Sequence, residues 1–247
     1  MKYAIKFAYD GRDFSGFQRQ PDDRTVQGEI EKVLSIIFQE EVALHASGRT
    51  DTGVHALNQV ATFCPAIFIK EEDLTRALRR MLPRDIKLVQ LCRCSEDFHP
   101  RFDAIGKHYR YICSLEDHLF ERPYVHYLKV MPDMERILRA AAFLIGVHDF
   151  RAFSNRRRGE RDTRRDLWAI EVSQRKERIF FDLYGDGFLY RMARVIVQYL
   201  LHVGRGKIDP EETPQILASG SREKTRLCAP AHALYLMDVY YRFDPFA

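Results

Sequence analysis

The sequence has little of what would brace a fold from outside its hydrophobic core. There are five cysteines in 247 residues, Cys64, Cys92, Cys94, Cys113 and Cys228. Their number is odd and no two form a C-x-x-C pair, so neither a disulfide framework nor a zinc site is expected. Scattered core thiols in a reducing cytoplasm are the default for such a pattern. No apolar run approaches the roughly 20 residues of a membrane span. The opening MKYAIKFAYDG has no long apolar h-region, which argues against a secretory signal. No low-complexity linker interrupts the chain. A strong charge imbalance is missing too: 39 Lys plus Arg against 35 Asp plus Glu leave +4, too little by itself to name a partner.

What is present suffices for a sizeable core. Hydrophobic residues make up 46% of the chain, which argues against wholesale disorder, and the length suits one large domain or two small ones. Lys2 to Tyr9 alternates, placing Tyr3, Ile5, Phe7 and Tyr9 on one strand face. Thr25 is placed to cap a helix with the stripe Val26, Ile30, Val33, Leu34 and Ile37. Val42–Ala46 and Leu57–Phe63 read as strands, Glu71–Leu82 as a helix stopped by Pro83, and Ile86–Arg93 as a strand. A second series follows. His108–Leu115 reads as a strand. Asp133 caps a helix facing inward through Met134, Ile137, Leu138, Ala141 and Leu144. A hairpin joins Leu167–Gln174 to Arg178–Tyr184. A helix runs over Phe188–Val203, a short one over Glu211–Ala218, and Ala233–Tyr240 is a last strand. This predicts an α+β architecture of two similar subdomains, residues 1–104 and 105–247. Their mostly antiparallel sheets would join across a central cleft, with helices packed on one face.

Two stretches carry chemistry. SGRTDTGVHA, from Ser47 to Ala56, sets Asp51 beside Arg49 between Gly48 and Gly53. It reads either as a surface turn in which Asp51 caps a backbone N–H, or as a loop holding a carboxylate for reaction. Between Arg151 and Arg165 stand seven arginines, among them Arg156, Arg157 and Arg158, against Glu160 and Asp162. Interleaved with Phe150, Phe153 and Asn155, the run suits phosphate and nucleic acid better than plain solvation.

Several segments, in order, resemble the bacterial tRNA pseudouridine synthase A family. They are YDGRDFSGFQRQ (Tyr9–Gln20) with RTVQGEIE after it, SGRTDTGVHA, FHPRFDAIGKHYRY (Phe98–Tyr111), GDGFLYRMARVIV (Gly185–Val197) and APAHALYLMDVYY. The sequence departs from the family at Ala193, where valine is usual, and at Ala233, where glycine is usual. The resemblance implies the pseudouridine synthase fold, tRNA as substrate at the anticodon arm around positions 38 to 40, a homodimer in the cytoplasm, and neither cofactor nor metal. It implies Asp51 as the catalytic aspartate, Arg194 paired with it, Tyr109 against the target base and Leu234 lining the base pocket. Arg49 is read as a contact to phosphate or sugar, or as structural, and His55 as a supporting residue. Without the resemblance, Tyr109 and Tyr111 read as sheet packing and Arg194 as a helix arginine at the edge of the buried face. Two alternatives stand beside this reading. A non-catalytic RNA-binding protein explains the arginines but not the acid in the Gly-rich loop. A nucleoside or glycoside hydrolase using Asp51 would call for a second carboxylate or a metal cluster.

Overall fold

The first strand, β1 (Lys2–Tyr9), buries the alternating face that its sequence predicts, with Tyr3, Ile5, Phe7 and Tyr9 all at or below 4% exposure. A computed structural model describes residues 1–155 and 162–247, so Arg156, Arg157 and Arg158 lie outside the described residues. Helix α1 (Val26–Phe38) starts where the Thr25 hydroxyl accepts the Gly28 N–H, as an N-cap should. Its stripe is Val26, Ile30, Val33, Leu34 and then Phe38, not Ile37. Phe38 lies one full turn beyond Leu34 and reaches the Tyr3 and Phe63 rings. Strand β2 is only His45–Ala46, shorter than the predicted Val42–Ala46, although Val42 and Leu44 are buried.

Strand β3 (His55–Phe63) begins two residues before the predicted start and pairs antiparallel with β1, Tyr3 opposite Phe63. Helix α2 (Glu71–Met81) stops one residue early because Leu82, preceding Pro83, is extended at ψ 141°, the conformation proline imposes on its predecessor. Strand β4 (Ile86–Cys94) pairs with the other edge of β1.

The second series contains β5 (Ala104–Ser114), β6 (His126–Tyr127), α3 (Met134–Ala142), β7 (Gly146–Asp149), β8 (Arg164–Arg175), β9 (Arg178–Gly185), α4 (Met192–Gly204) and α5 (Thr213–Ser219). Its sheet runs β5-β9-β8-β7, all antiparallel, with β6 added in parallel to β5. β6 and β7 were not predicted. The β8–β9 hairpin turns at Lys176 and Glu177, with Lys176 at φ 54°.

Two predicted helix details differ. On α3, Leu138 is 47% exposed and Ala140 is buried in its place beside Ile137 and Ala141. Gly204 accounts for this contact: a Cβ there would sit 2.8 Å from Ile137, so α3 and α4 approach closely along the Ile137 side. α4 starts at Met192 rather than Phe188, because Arg191 adopts φ 62° and cannot continue a helix. The predicted inward residues Met192, Val195, Ile196, Tyr199 and Val203 are all buried.

The last strand, β10 (Leu234–Tyr241), pairs with β3 in parallel, Tyr235 opposite His55 and Leu236 opposite Ala56. By contact the chain divides into Met1–Ile105 with Tyr235–Ala247, and Gly106–Leu234. The closing segment therefore groups with the first unit, where the sequence reading placed it in the second. Both units mix helices with largely antiparallel sheet, an α+β architecture. Of the five cysteines Cys113 is the buried one, so the expected set of core thiols reduces to one. Among the described residues no helix is long and apolar enough to cross a membrane.

Candidate active site

The Asp51 loop is built as a clamped turn. Its backbone reverses where the Val54 N–H donates to the Asp51 carbonyl at 3.1 Å. Gly53 takes φ 79° at the third position of that turn, the place where only glycine is comfortable. The base of the loop is pinned from β3: the Ser47 hydroxyl donates to Gln59 at 2.6 Å, and the Gln59 amide donates to the Gly48 carbonyl at 3.1 Å. Gln59 itself is fully buried. Asp51 is half-buried and Arg49 is exposed.

The segment after β1 closes over this loop. Tyr9 and Thr50 share a buried hydroxyl hydrogen bond of 2.8 Å. Burial pushes the Tyr9 phenol up to about 12, against the hydrogen bonds with Thr50 and Gln59, so it serves as a neutral hydroxyl. The Phe17 N–H donates to the Thr50 carbonyl at 3.2 Å. Two glycines permit the approach. A Cβ on Gly11 would lie 2.1 Å from the Val54 oxygen, and Gly16, at φ 96°, has the Thr50 oxygen 3.2 Å from its Cβ position. This is why a Gly-containing loop follows β1: the backbone of one loop touches the backbone of the other, leaving room for hydrogen only.

His55 lies at the base of the covering loop. It is 3% exposed, stacks on Tyr235 at 4.8 Å, and its Nδ1 accepts the Gly11 N–H at 3.1 Å. The same Nδ1 lies 3.2 Å from an Asp10 oxygen, but a nitrogen that accepts has no proton to donate there. Asp10 is engaged by the Arg12 guanidinium at 2.9 Å. The Gly11 bond therefore fixes the ring, and His55 holds the covering loop in place.

In the second unit, Tyr109 lies on β5, 8% exposed, with the Phe188 ring edge-on at 5.0 Å between centroids. Tyr111, two residues on, is fully buried and shares a 3.1 Å hydrogen bond with His126 Nδ1. The strand's other face carries a charged cluster. Asp182 of β9 is bound by His108 at 2.5 Å and by the Arg110 guanidinium at 2.8 and 3.1 Å. Burial pushes the Asp182 carboxyl up, but the His108 and Arg110 hydrogen bonds and the Arg110 charge outweigh it and hold the group below its usual value. The cluster locks β5 to β9 through a cross-strand pair, Arg110 opposite Asp182.

Arg194, half-buried in the first turn of α4, is aimed by its backbone surroundings. Its Nε donates to the Ala229 carbonyl at 2.8 Å, and the Ala229 N–H returns a bond to the Arg194 carbonyl at 3.2 Å. The same segment continues through fully buried Ala233 to Leu234, 5% exposed. The methyl of Ala233 is thus accommodated within the packed interior.

Asp51 and Arg49 thus belong to the first unit, and Tyr109, Arg194 and Leu234 to the second. Sequence reasoning missed the residues that hold them: Tyr9, Gly11, Gly16 and Gln59 around the loop, Phe188 beside Tyr109, and Ala229 beside Arg194. Only the glycines gave a signal, as paired exceptions within a polar stretch. Among the described residues no group of three or more His, Cys, Asp or Glu is placed to hold a metal.

Comparison with known proteins matches the chain to a family. The family model for tRNA pseudouridine synthases matches residues 5–103 and 140–242. The chain is 41% identical over 237 residues to tRNA pseudouridine synthase A 1 of Bacillus cereus, covering 95% of this chain and 96% of that one. It is 39% identical over 245 residues to tRNA pseudouridine synthase A of Bacillus pumilus and 37% over 245 residues to that of Bacillus subtilis. Each of these alignments covers 98% of this chain and 99% of the relative.

Proposed function

The chain belongs to the tRNA pseudouridine synthase family, and we propose that it acts on uridines of the tRNA anticodon arm, around positions 38 to 40, with Asp51 as the catalytic group. It is an isomerase that converts uridine in tRNA to pseudouridine. The reaction breaks the N1–C1′ bond, turns the uracil and rejoins it to the same sugar through C5. Nothing is consumed.

One carboxylate suffices for this chemistry. A glycosidase needs two, one to protonate a poor leaving group and one to attack or to activate water. Here water is not a reactant, and the detached uracil stays in the site to be rejoined. A carboxylate such as Asp51 can attack carbon or accept a proton. The observation that carries the assignment is the clamping of the Asp51 turn by Tyr9, Phe17 and Gln59, a degree of fixation that a solvated surface turn does not need and that a positioned catalyst does.

In this reading Arg194 contributes a positive charge to the same reaction. Its aim depends on the Ala229 carbonyl that accepts from Nε. Tyr109 lies against the target base, offsetting part of the stacking lost when the base leaves the stem, a cost of a few kcal/mol. Leu234 lines the apolar side of the base site, and exposed Arg49 takes phosphate or sugar near the target. The arginine-rich segment, Arg156, Arg157 and Arg158 included, binds backbone phosphates. The protein works as a cytoplasmic homodimer.

The test is nucleoside analysis of unmodified tRNA after incubation with the purified protein, with the modified positions mapped. Pseudouridine at positions 38 to 40 is the expected result. Unchanged uridine would point to an RNA-binding protein, free uracil to a hydrolase, and pseudouridine elsewhere would refute the anticodon-arm assignment.

A further inference from the structure

The second unit carries a cavity that the isomerisation does not use. It lies between the end of α3, strand β7 and helix α5 and has a volume of about 440 Å³, within the roughly 300–1,000 Å³ typical of small-ligand sites. Phe143 and His148 give it flat walls, Leu217 an aliphatic one, and Asp149 with Arg151 form a polar rim.

The polar groups are fixed in place. One Asp149 oxygen accepts the Arg151 backbone N–H at 2.9 Å and the Thr163 hydroxyl at 2.6 Å, and the other lies 3.4 Å from the Arg151 guanidinium. His148 donates from Nε2 to the Ile145 carbonyl at 2.9 Å. The pairing of β7 with β8 sets Asp149 opposite Arg164 and His148 opposite Arg165. Arg151 lines the cavity, and Arg164 and Arg165 stand on the neighbouring strand.

Each feature narrows the occupant. The carboxylate on the rim disfavours a bare phosphate inside and favours an edge that offers N–H donors. The flat walls suit an aromatic face, and the arginines outside suit phosphate held next to that face. A nucleotide within an RNA chain has all three. We propose that this cavity receives one unpaired nucleotide of the bound tRNA, its amino-bearing base edge toward Asp149 and its flanking phosphates toward the arginines. The proposal rests on tRNA being the substrate.

Ala218 lines the cavity and is exposed on α5, so Ala218→Trp fills the space without entering the core. Binding of an unmodified tRNA transcript is measured across salt concentrations for wild type and variant. Stacking of one base predicts weakening by about 5- to 150-fold, with an unchanged salt slope because no phosphate contact is removed. An affinity within twofold of wild type would overturn the proposal, as would weakening with a proportionally flatter slope. A second measurement does not depend on the variant folding. Chemical probing of tRNA bound to the wild-type protein is expected to show one unpaired base, away from the modified uridine, with its Watson–Crick edge protected. Absence of such a base refutes the pocket even where the same preparation forms pseudouridine. Protection without pseudouridine upholds the pocket and refutes the proposed function.

Discussion

Gly11→Ala is a single-atom test of whether the segment after β1 positions Asp51. The added carbon would lie 2.1 Å from the Val54 carbonyl oxygen and 2.6 Å from its carbon. Both are backbone atoms, so no side chain can swing aside. Ordinary contact begins near 3.4 Å, so the two loops must separate by more than 1 Å. Val54 closes the turn that carries Asp51, and the displacement is passed to the carboxylate. A misplacement of about 1 Å costs on the order of 100-fold in rate. Overpacking of this kind costs roughly 1–3 kcal/mol, a fall in Tm of about 2–12 °C for a chain of this size. The assay is single-turnover pseudouridine formation at saturating tRNA, with thermal melting run in parallel. Tyr9→Phe supplies a milder version, removing the hydroxyl and its bonds with Thr50 and Gln59, and is expected to give a smaller loss in the same direction. A Gly11→Ala protein that melts lower but turns over at the wild-type rate would show that the contact serves the fold and not the position of Asp51.

Arg194→Met removes both the charge and the Nε bond to Ala229, and a loss of at least 100-fold in single-turnover rate is expected while tRNA binding changes little. Changing Arg156, Arg157 and Arg158 together to Ala should weaken tRNA binding and reduce the salt slope by about 2–3, at roughly 0.7–0.9 per phosphate contact. The rate at saturating tRNA should stay close to wild type. His126 offers a pH test: burial first, then the charges of Arg205 and His232, lower it to about 4. An unfolded histidine titrates near 6.5, so between those values the unfolded chain binds the extra proton. The stability contributed by neutral His126 is present above about pH 6.5 and is lost as pH falls toward 4. Melting of His126→Gln should vary less over that window than melting of wild type, and identical pH dependence would remove His126 from the account.

Much of the fold was legible because single elements follow local rules. β1 shows its alternation, α1 its Thr25 cap, and α4 its inward stripe from Met192 to Val203. The misses arise where tertiary contacts decide. Leu138 fits the stripe of α3 by spacing, yet the close approach allowed by Gly204 favours Ala140 on the buried side. The start of α4 is set by the φ of Arg191, which no propensity announces. Strand β10 was predicted, but its parallel pairing with β3 is a non-local choice. At the site, Asp51 was marked by its glycines and by family resemblance. The groups that hold it, Tyr9 and Gln59, look like ordinary strand residues in sequence, and Ala229 acts through a carbonyl that every residue has.

The central claim is that the Asp51 carboxylate performs the isomerisation, and Asp51→Asn tests it most directly by keeping the shape of the side chain and removing its charge. Wild type and variant are incubated with unmodified tRNA under single-turnover conditions, and both tRNA affinity and pseudouridine content are measured. The account predicts wild-type affinity with pseudouridine at background. Pseudouridine forming at the wild-type rate in the Asp51→Asn protein would contradict it.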